Sequence, residues 1–238
     1  AGVRDKTTVV FATPGTTIFG VPEVKKTLLE IVDKKDINLR FGYKLEKVDG
    51  PNQIAWYSFM DHEDEYNHKD IKTEKDGKLT GVHFDMMHTA PPSVAPKFIQ
   101  DSPLANEAGW LDIDQYTLQH KKYGNVFGLG DVAGIPAAKT GAAIRKQVPV
   151  VIQNIRMLKS KNILGGKTYN GYSSCPIVTD YGKMVLAEFD YDNNFTPDPK
   201  LKMMLIGDSS KEHWRLWMLK KYGLPYLYWN KMMKGQDV

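Results

Sequence analysis

This 238-residue sequence predicts an α/β fold with a helical C-terminal appendage. Three observations carry that reading. Segments that read as strands alternate with segments that read as helices as far as Leu158. At Asn125–Gly141 an apolar pair, Val126-Phe127, runs into Gly128-Leu129-Gly130-Asp131 and then into a helix start at Lys139-Thr140-Gly141. Beyond Leu158 the pattern changes, and large aromatic and basic residues mix towards the end of the chain.

Composition bounds the class. Hydrophobic residues make up 42% and charged residues 25%, the balance of a globular chain rather than a disordered one. The net charge is +4, from 32 basic and 28 acidic residues. That excess is too small for a nucleic-acid footprint, but it suits an anionic membrane surface. A single cysteine excludes an intrachain disulfide and a thiolate metal cluster. No run of 18 apolar residues occurs, so no spanning helix is expected.

The elements follow in order. Thr7–Phe11 is β-branched and reads as a strand, with a turn at Thr13-Pro14-Gly15-Thr16. Val21 to Lys34 reads as a helix, with Val24, Leu28, Ile31 and Val32 on one face. Leu39–Tyr43, Leu45–Val48 and Ile54–Phe59 read as strands. His62–Asp70 is a polar hairpin tip; its His and carboxylate spacing fits no metal site, so a solvated loop is the better reading. Val82 to Pro92 reads as a strand stopped by Pro91-Pro92, a crossover between domains. His88 on it reads as structural in preference to a proton carrier. Asn106–Asp114 is a turn into a strand, and Gly141 to Leu158 is a helix that Pro149 should kink. Gly165-Gly166 marks a boundary.

Two places carry chemistry. Gly128 and Gly130 remove Cβ atoms where the chain leaves its strand, so a ligand can approach the backbone. Asp131 supplies an acceptor for a sugar-like hydroxyl, and the N–H groups of the helix after Thr140 favour electron-rich oxygen. The second place is Tyr172–Val178, which holds Cys175 in a Ser-rich turn stopped by Pro176. A lone Cys is usually a small buried hydrophobe; turn N–H groups and a nearby cation would instead favour its thiolate. The tail adds a third feature. Ser209-x-x-Glu212 reads as a capping box before Trp214–Lys221 and Leu224–Lys234, whose Trp, Tyr, Leu and Met mix with Lys and Arg. That is the composition of helices lying in a headgroup plane.

The motif Thr117-Leu118-Gln119-His120 through Tyr123-x-Asn125-Val126-Phe127-x-x-Gly130-Asp131 resembles the second FAD-binding segment of two-dinucleotide-binding-domain flavoproteins, an FAD/NAD(P)-binding Rossmann-like architecture. By that resemblance Gly130 and Asp131 meet the ribityl chain of FAD, and Lys139 with Thr140 lies near the flavin ring. Tyr169-x-Gly171-Tyr172-x-Ser174-Cys175-Pro176, Val178-Thr179, Tyr181, Val185–Tyr191 and Leu227–Asn230 resemble the C-terminal region of mitochondrial-type sulfide:quinone oxidoreductases.

The resemblance implies a flavoprotein at the mitochondrial inner membrane, peripherally bound. It implies oxidation of hydrogen sulfide to a persulfide on Cys175, transfer of the sulfane sulfur to a small thiol or sulfite, and passage of electrons through FAD to ubiquinone. Tyr181, Tyr228 and Trp229 then mark the quinone and membrane side. Residues 1–92 are expected to form part of a second dinucleotide-type domain, 93–164 the FAD-binding segment, and 165–238 the redox-cysteine and quinone region with its membrane-associated end. The chain has no Gly-x-Gly-x-x-Gly and no upstream cysteine, so it reads as the C-terminal part of a longer protein, inactive alone. Two other readings stand beside this one. A type II NADH:quinone oxidoreductase shares the Gly-x-Gly-Asp segment but needs no thiol. A flavin-free membrane-bound scaffold would keep the fold without the chemistry.

Overall fold

The computed structural model describes residues 2–60, 71–161 and 166–236. It is a mixed α/β structure that divides into two compact units, Ala1–Pro91 and Pro92–Val238. The polar tip at His62–Asp70 lies outside the described residues, and so does Gly165.

In the first unit β1 (Val9–Thr13) and β2 (Ile37–Phe41) pair in parallel, from Val9 opposite Ile37 to Thr13 opposite Phe41. The helix α1 (Pro22–Lys34) connects them. Pro22 starts it, where a missing N–H costs nothing, and Val24, Thr27, Leu28 and Ile31 form its buried stripe. Gly42, at φ +75°, ends β2 and separates it from β3 (Tyr43–Asp49). The expected strand Leu39–Tyr43 is therefore split between two sheets. β3, β4 (Ile54–Phe59), β6 (Leu79–His83) and β5 (Thr73–Asp76) form an antiparallel sheet in that order. β5 is exposed along its whole length, so no apolar pattern announced it. β6 ends at His83, well short of the prolines. Phe84 to Pro96 carries no regular structure, and His88 is exposed there rather than set in a strand.

The second unit opens with a single turn of helix, α2 (Lys97–Gln100). Its centre is a patchwork of single bridges: Ala105 with Leu111, Leu111 with Ala133, Ile113 with His120, and Gln119 with Phe127. This corrects the reading of Val126-Phe127 as a strand in a buried sheet. Leu118, fully buried at φ +58°, breaks the segment that Phe127 pairs with, so the ladder stops after one bridge. The long helix α3 (Gly141–Lys161) stays helical on both sides of Pro149. It packs Val150 and Val151 against Leu111, Ile113, Leu118 and Tyr169. β7 (Ser173–Asp180) and β8 (Lys183–Phe189) form a hairpin, turned at Gly182, where φ is +75°.

The tail is helical: α4 (Trp214–Met218), a π turn over Leu219–Gly223, α5 (Leu224–Asn230), and a 3-10 turn at Met232–Lys234. Ser209 does not cap it. His213 does, its Nδ1 accepting the Arg215 N–H at 3.1 Å, while Glu212 turns to Thr179 and Lys183. Leu216 anchors α4 in a cluster with Met184, Leu186, Leu201 and Ile206. No described helix is long and apolar enough to cross a membrane.

Leu216 is 0% exposed and Trp229 is 64% exposed, so the two ends of the tail should respond differently to truncation. In urea titrations, Leu216→Ala should lower the unfolding free energy by ~2–5 kcal/mol. Trp229→Ala should leave it within ~0.5 kcal/mol. Equal losses at both positions would mean that the whole tail is packed.

Candidate functional site

The bend at Gly128–Asp131 is shaped by close packing. A Cβ on Gly128 would stand 2.1 Å from Leu111 Cδ2. Gly130 is buried at φ +67° and begins a 3-10 turn, Gly130–Val132. Its N–H donates to Gln147 Oε1 of α3 at 2.8 Å. Asp131 follows on the surface. The Lys139 ammonium donates to the Ala133 carbonyl at 2.7 Å and stands 4.0 Å from the Trp110 ring centroid. Partial desolvation lowers the Lys139 pKa, and the nearby Asp131 carboxylate opposes that shift. Thr140 caps α3, its hydroxyl accepting the Ala143 N–H at 3.2 Å. Gly130, Asp131, Lys139 and Thr140 thus belong to one turn-and-cap assembly, in which the Asp131 carboxylate is near enough to the Lys139 ammonium for its charge to be felt.

Cys175 lies in β7 opposite Ala187, not in a turn. Ser173, Ser174 and Pro176 belong to the strand as well, which two-stranded pairing tolerates because β7 keeps a free edge. The expectation of a thiolate-favouring setting is overturned with it: Cys175 is half-buried, and burial pushes its thiol up. Lys220, 44 residues on in the chain, reaches this strand but spends its ammonium on the backbone, donating to the Pro176 carbonyl at 2.8 Å.

Tyr181, on the β7–β8 turn, is 90% exposed, and its ring rests on Trp217, 5.8 Å between centroids. Tyr228 and Trp229 pack edge to face on each other at 4.9 Å, both exposed on α5. Trp214, Tyr222, Tyr226 and Met233 are exposed beside them in sequence. A solvated helix pair seldom carries so much uncovered aromatic surface.

Sequence reasoning passed over the buried polar groups that hold these pieces. Gln147 and Asn154 are 2% and 1% exposed, on the inner face of α3. Asn154 donates to the Thr117 and Lys167 carbonyls and accepts the Lys167 N–H. Their spacing of seven, in phase with Ala143, Val150 and Val151, was the available signal. Glu188, 2% exposed, takes the Tyr172 hydroxyl on one oxygen and the Asp198 N–H on the other. Burial and that carboxylate push the Tyr172 phenol far up.

No protein-family model matches the chain. It is 37% identical to mouse mitochondrial sulfide:quinone oxidoreductase over 98% of its own length. Identity is 36% with the Dictyostelium discoideum protein of that name over 99%, and 34% with the Schizosaccharomyces pombe one over 96%. The resemblance read from Tyr169–Pro176 and the flanking motifs is thereby borne out. The chain spans about half the length of these relatives, 47–48%. Among solved structures, a chain of the Tetrahymena thermophila mitochondrial ATP synthase gives a TM-score of 0.62 at 24% identity, over 79% of this chain and 42% of that one. The Aquifex aeolicus sulfide:quinone oxidoreductase gives 0.58 at 18%, over 78% and 43%. The two structural matches speak for the fold.

A thiol raised above its ordinary 9.0 stays protonated at neutral pH, and only the thiolate attacks an alkylating reagent. Iodoacetamide should therefore modify Cys175 slowly at pH 7.5, with a rate that climbs through pH 9 and beyond. A rate already on its plateau at pH 7.5 would show that the cysteine is activated.

Proposed function

We propose that this chain is part of an FAD-dependent enzyme that oxidises hydrogen sulfide to sulfane sulfur and passes two electrons to ubiquinone. The observation that carries the reading is the 34–37% identity to three mitochondrial sulfide:quinone oxidoreductases along nearly all of the chain. Flavin chemistry supplies the step from a two-electron sulfur donor to a quinone.

The residues at the bend suit the ribityl side of a flavin. Asp131 is at the surface, while the Cβ positions missing at Gly128 and Gly130 face Leu111 and Ile144, so the glycines let the bend pack and leave the ligand side to Asp131. Its carboxylate accepts a ligand hydroxyl. Lys139 is held back on Trp110 and Ala133, close enough to Asp131 for charge to be felt. Its ammonium orients and neutralises an electron-rich ligand edge beyond the cap of α3. The Gly130 N–H is already taken by Gln147, so it shapes the bend rather than binding.

Cys175 holds the sulfane sulfur. Burial makes its free thiol sluggish, and the same burial keeps water from a sulfur carried there. Sulfide becomes that sulfur by attacking a disulfide at Cys175: the new S–S bond forms as the old one breaks, and the other thiol leaves reduced; that thiol comes from outside these 238 residues, which contain one cysteine. A small thiol or sulfite then removes the sulfur. The exposed aromatics of α4 and α5, with Arg215, Lys221, Lys231 and Lys234 among them, make a surface for an anionic bilayer. Tyr181, Tyr228 and Trp229 lie on the side from which a lipid-soluble quinone arrives. On this reading the protein works at the mitochondrial inner membrane, attached to its surface.

The test is made on the complete, flavin-loaded enzyme. Cys175→Ser should keep the flavin absorbance and lose sulfide-dependent quinone reduction. Asp131→Ala should lose flavin on dialysis, since a charge-assisted acceptor worth ~1.5–3 kcal/mol is removed. Full turnover by the serine variant defeats the sulfur assignment, and undiminished flavin in the alanine variant defeats the ribityl one.

Because Leu216 and the Ser209 carbonyl are built into the core, the membrane test cuts after Gly223. Removal of Leu224–Val238 should abolish cosedimentation with cardiolipin-containing vesicles. Turnover should then fall more with long-tail quinone than with a water-soluble analogue. Unchanged vesicle binding would mean that the tail serves the soluble fold alone.

A further inference from the structure

A cleft of about 460 Å³ opens in the second unit between α3, the segment before β7 and the segment after β8. Its volume falls within the ~300–1,000 Å³ of small-ligand pockets. Lys146 lines it from α3, Asn170 and Tyr172 from the approach to β7, and Thr196 and Asp198 from the segment after β8. None of these residues takes part in the flavin and sulfide chemistry proposed above.

One feature of the lining calls for a ligand: a pair of opposite charges, neither with an ion-pair partner among the described residues. Among the described residues, the Lys146 ammonium has no carboxylate partner; it lies 5.6 Å from the centroid of the Tyr172 ring. Asp198 spends one oxygen on the Lys200 N–H at 2.9 Å and forms no ion pair with any described residue. Asn170 adds amide donors, since its carbonyl oxygen is the part engaged, accepting the Tyr172 N–H at 3.2 Å.

The cleft is also held rigid. Buried Glu188 ties the Tyr172 hydroxyl to the Asp198 N–H, and its backbone carbonyl accepts the Thr196 N–H at 2.8 Å. Pro197 and Pro199 fix the backbone on both sides of Asp198. The opposing charges therefore cannot easily collapse onto each other.

A simple anion would meet Lys146 but face the Asp198 carboxylate. A simple cation would meet the reverse. A molecule that carries both charges satisfies both walls. We propose that this cleft binds a small zwitterion of the amino-acid or short-peptide class. Its carboxylate lies towards Lys146 and Asn170, and its ammonium towards Asp198.

Calorimetric titration of the full chain with triglycine tests this, with acetate and methylammonium as single-charge probes. Triglycine should bind saturably, and each single-charge probe at least about tenfold more weakly. Lys146→Met keeps the aliphatic stem, and Asp198→Asn keeps a residue able to cap the turn that follows. Each should weaken triglycine about tenfold or more, the loss expected for one charge-assisted contact, with an unchanged urea midpoint. Failure of triglycine to bind the unaltered chain at millimolar concentration overturns the proposal. So does acetate binding as tightly as triglycine with Asp198→Asn indifferent, because the cleft would then be an anion site only.

Discussion

The buried N–H of Gly130 must find an acceptor away from water, and Gln147 of α3 provides it. That one bond ties the second turn of a long helix to the bend at Gly130. Seven residues on, Asn154 repeats the device, with three bonds to Thr117 and Lys167. Between them Val150 and Val151 bury their side chains in the core. A helix pinned at two polar points and greased between them cannot slide or roll. The position of Asp131, Lys139 and Thr140 relative to one another follows from this, because each is attached to one end or the other of the Gly130–α3 joint.

The same economy of buried polar groups appears at Glu188. A carboxylate at 2% exposure is tolerated only when its oxygens are occupied. Tyr172 and the Asp198 backbone occupy them. The hairpin that carries Cys175 is thereby fastened to the loop beyond it, and the phenol is kept protonated throughout the physiological range. Removing the carboxylate would strand a buried hydroxyl and an N–H together.

Periodicity made some of this legible and not the rest. α1, β4 and the start of α3 stood out in the sequence because a single repeat, helical or alternating, is enough to form them. Val126-Phe127 did not behave as the apolar run suggested, since a strand needs a partner and Leu118 withdraws it at φ +58°. Cys175 was misread for the reverse reason: Ser and Pro look like a turn locally, yet β8 offers seven residues of ladder that override them. β5 had no apolar face to read. At Ser209 the capping pattern was present, but Glu212 found better partners across the hairpin. The bend was readable because glycine there serves the backbone path itself, while Gln147 and Glu188 act through tertiary contacts that no local pattern encodes.

The π turn at Leu219–Gly223 sits between a helix sunk in the core and one whose aromatics are uncovered. A turn closed by i→i+5 bonds holds one residue more than an α turn. Each extra residue rotates everything after it by about 100° around the axis. The segment is thus a phase shifter: the stripe that Leu216 presents inward does not continue into α5 but is handed to a different azimuth. Deleting a single residue from the turn would leave every side chain of α5 chemically unchanged and would turn Tyr226, Tyr228 and Trp229 to face another direction.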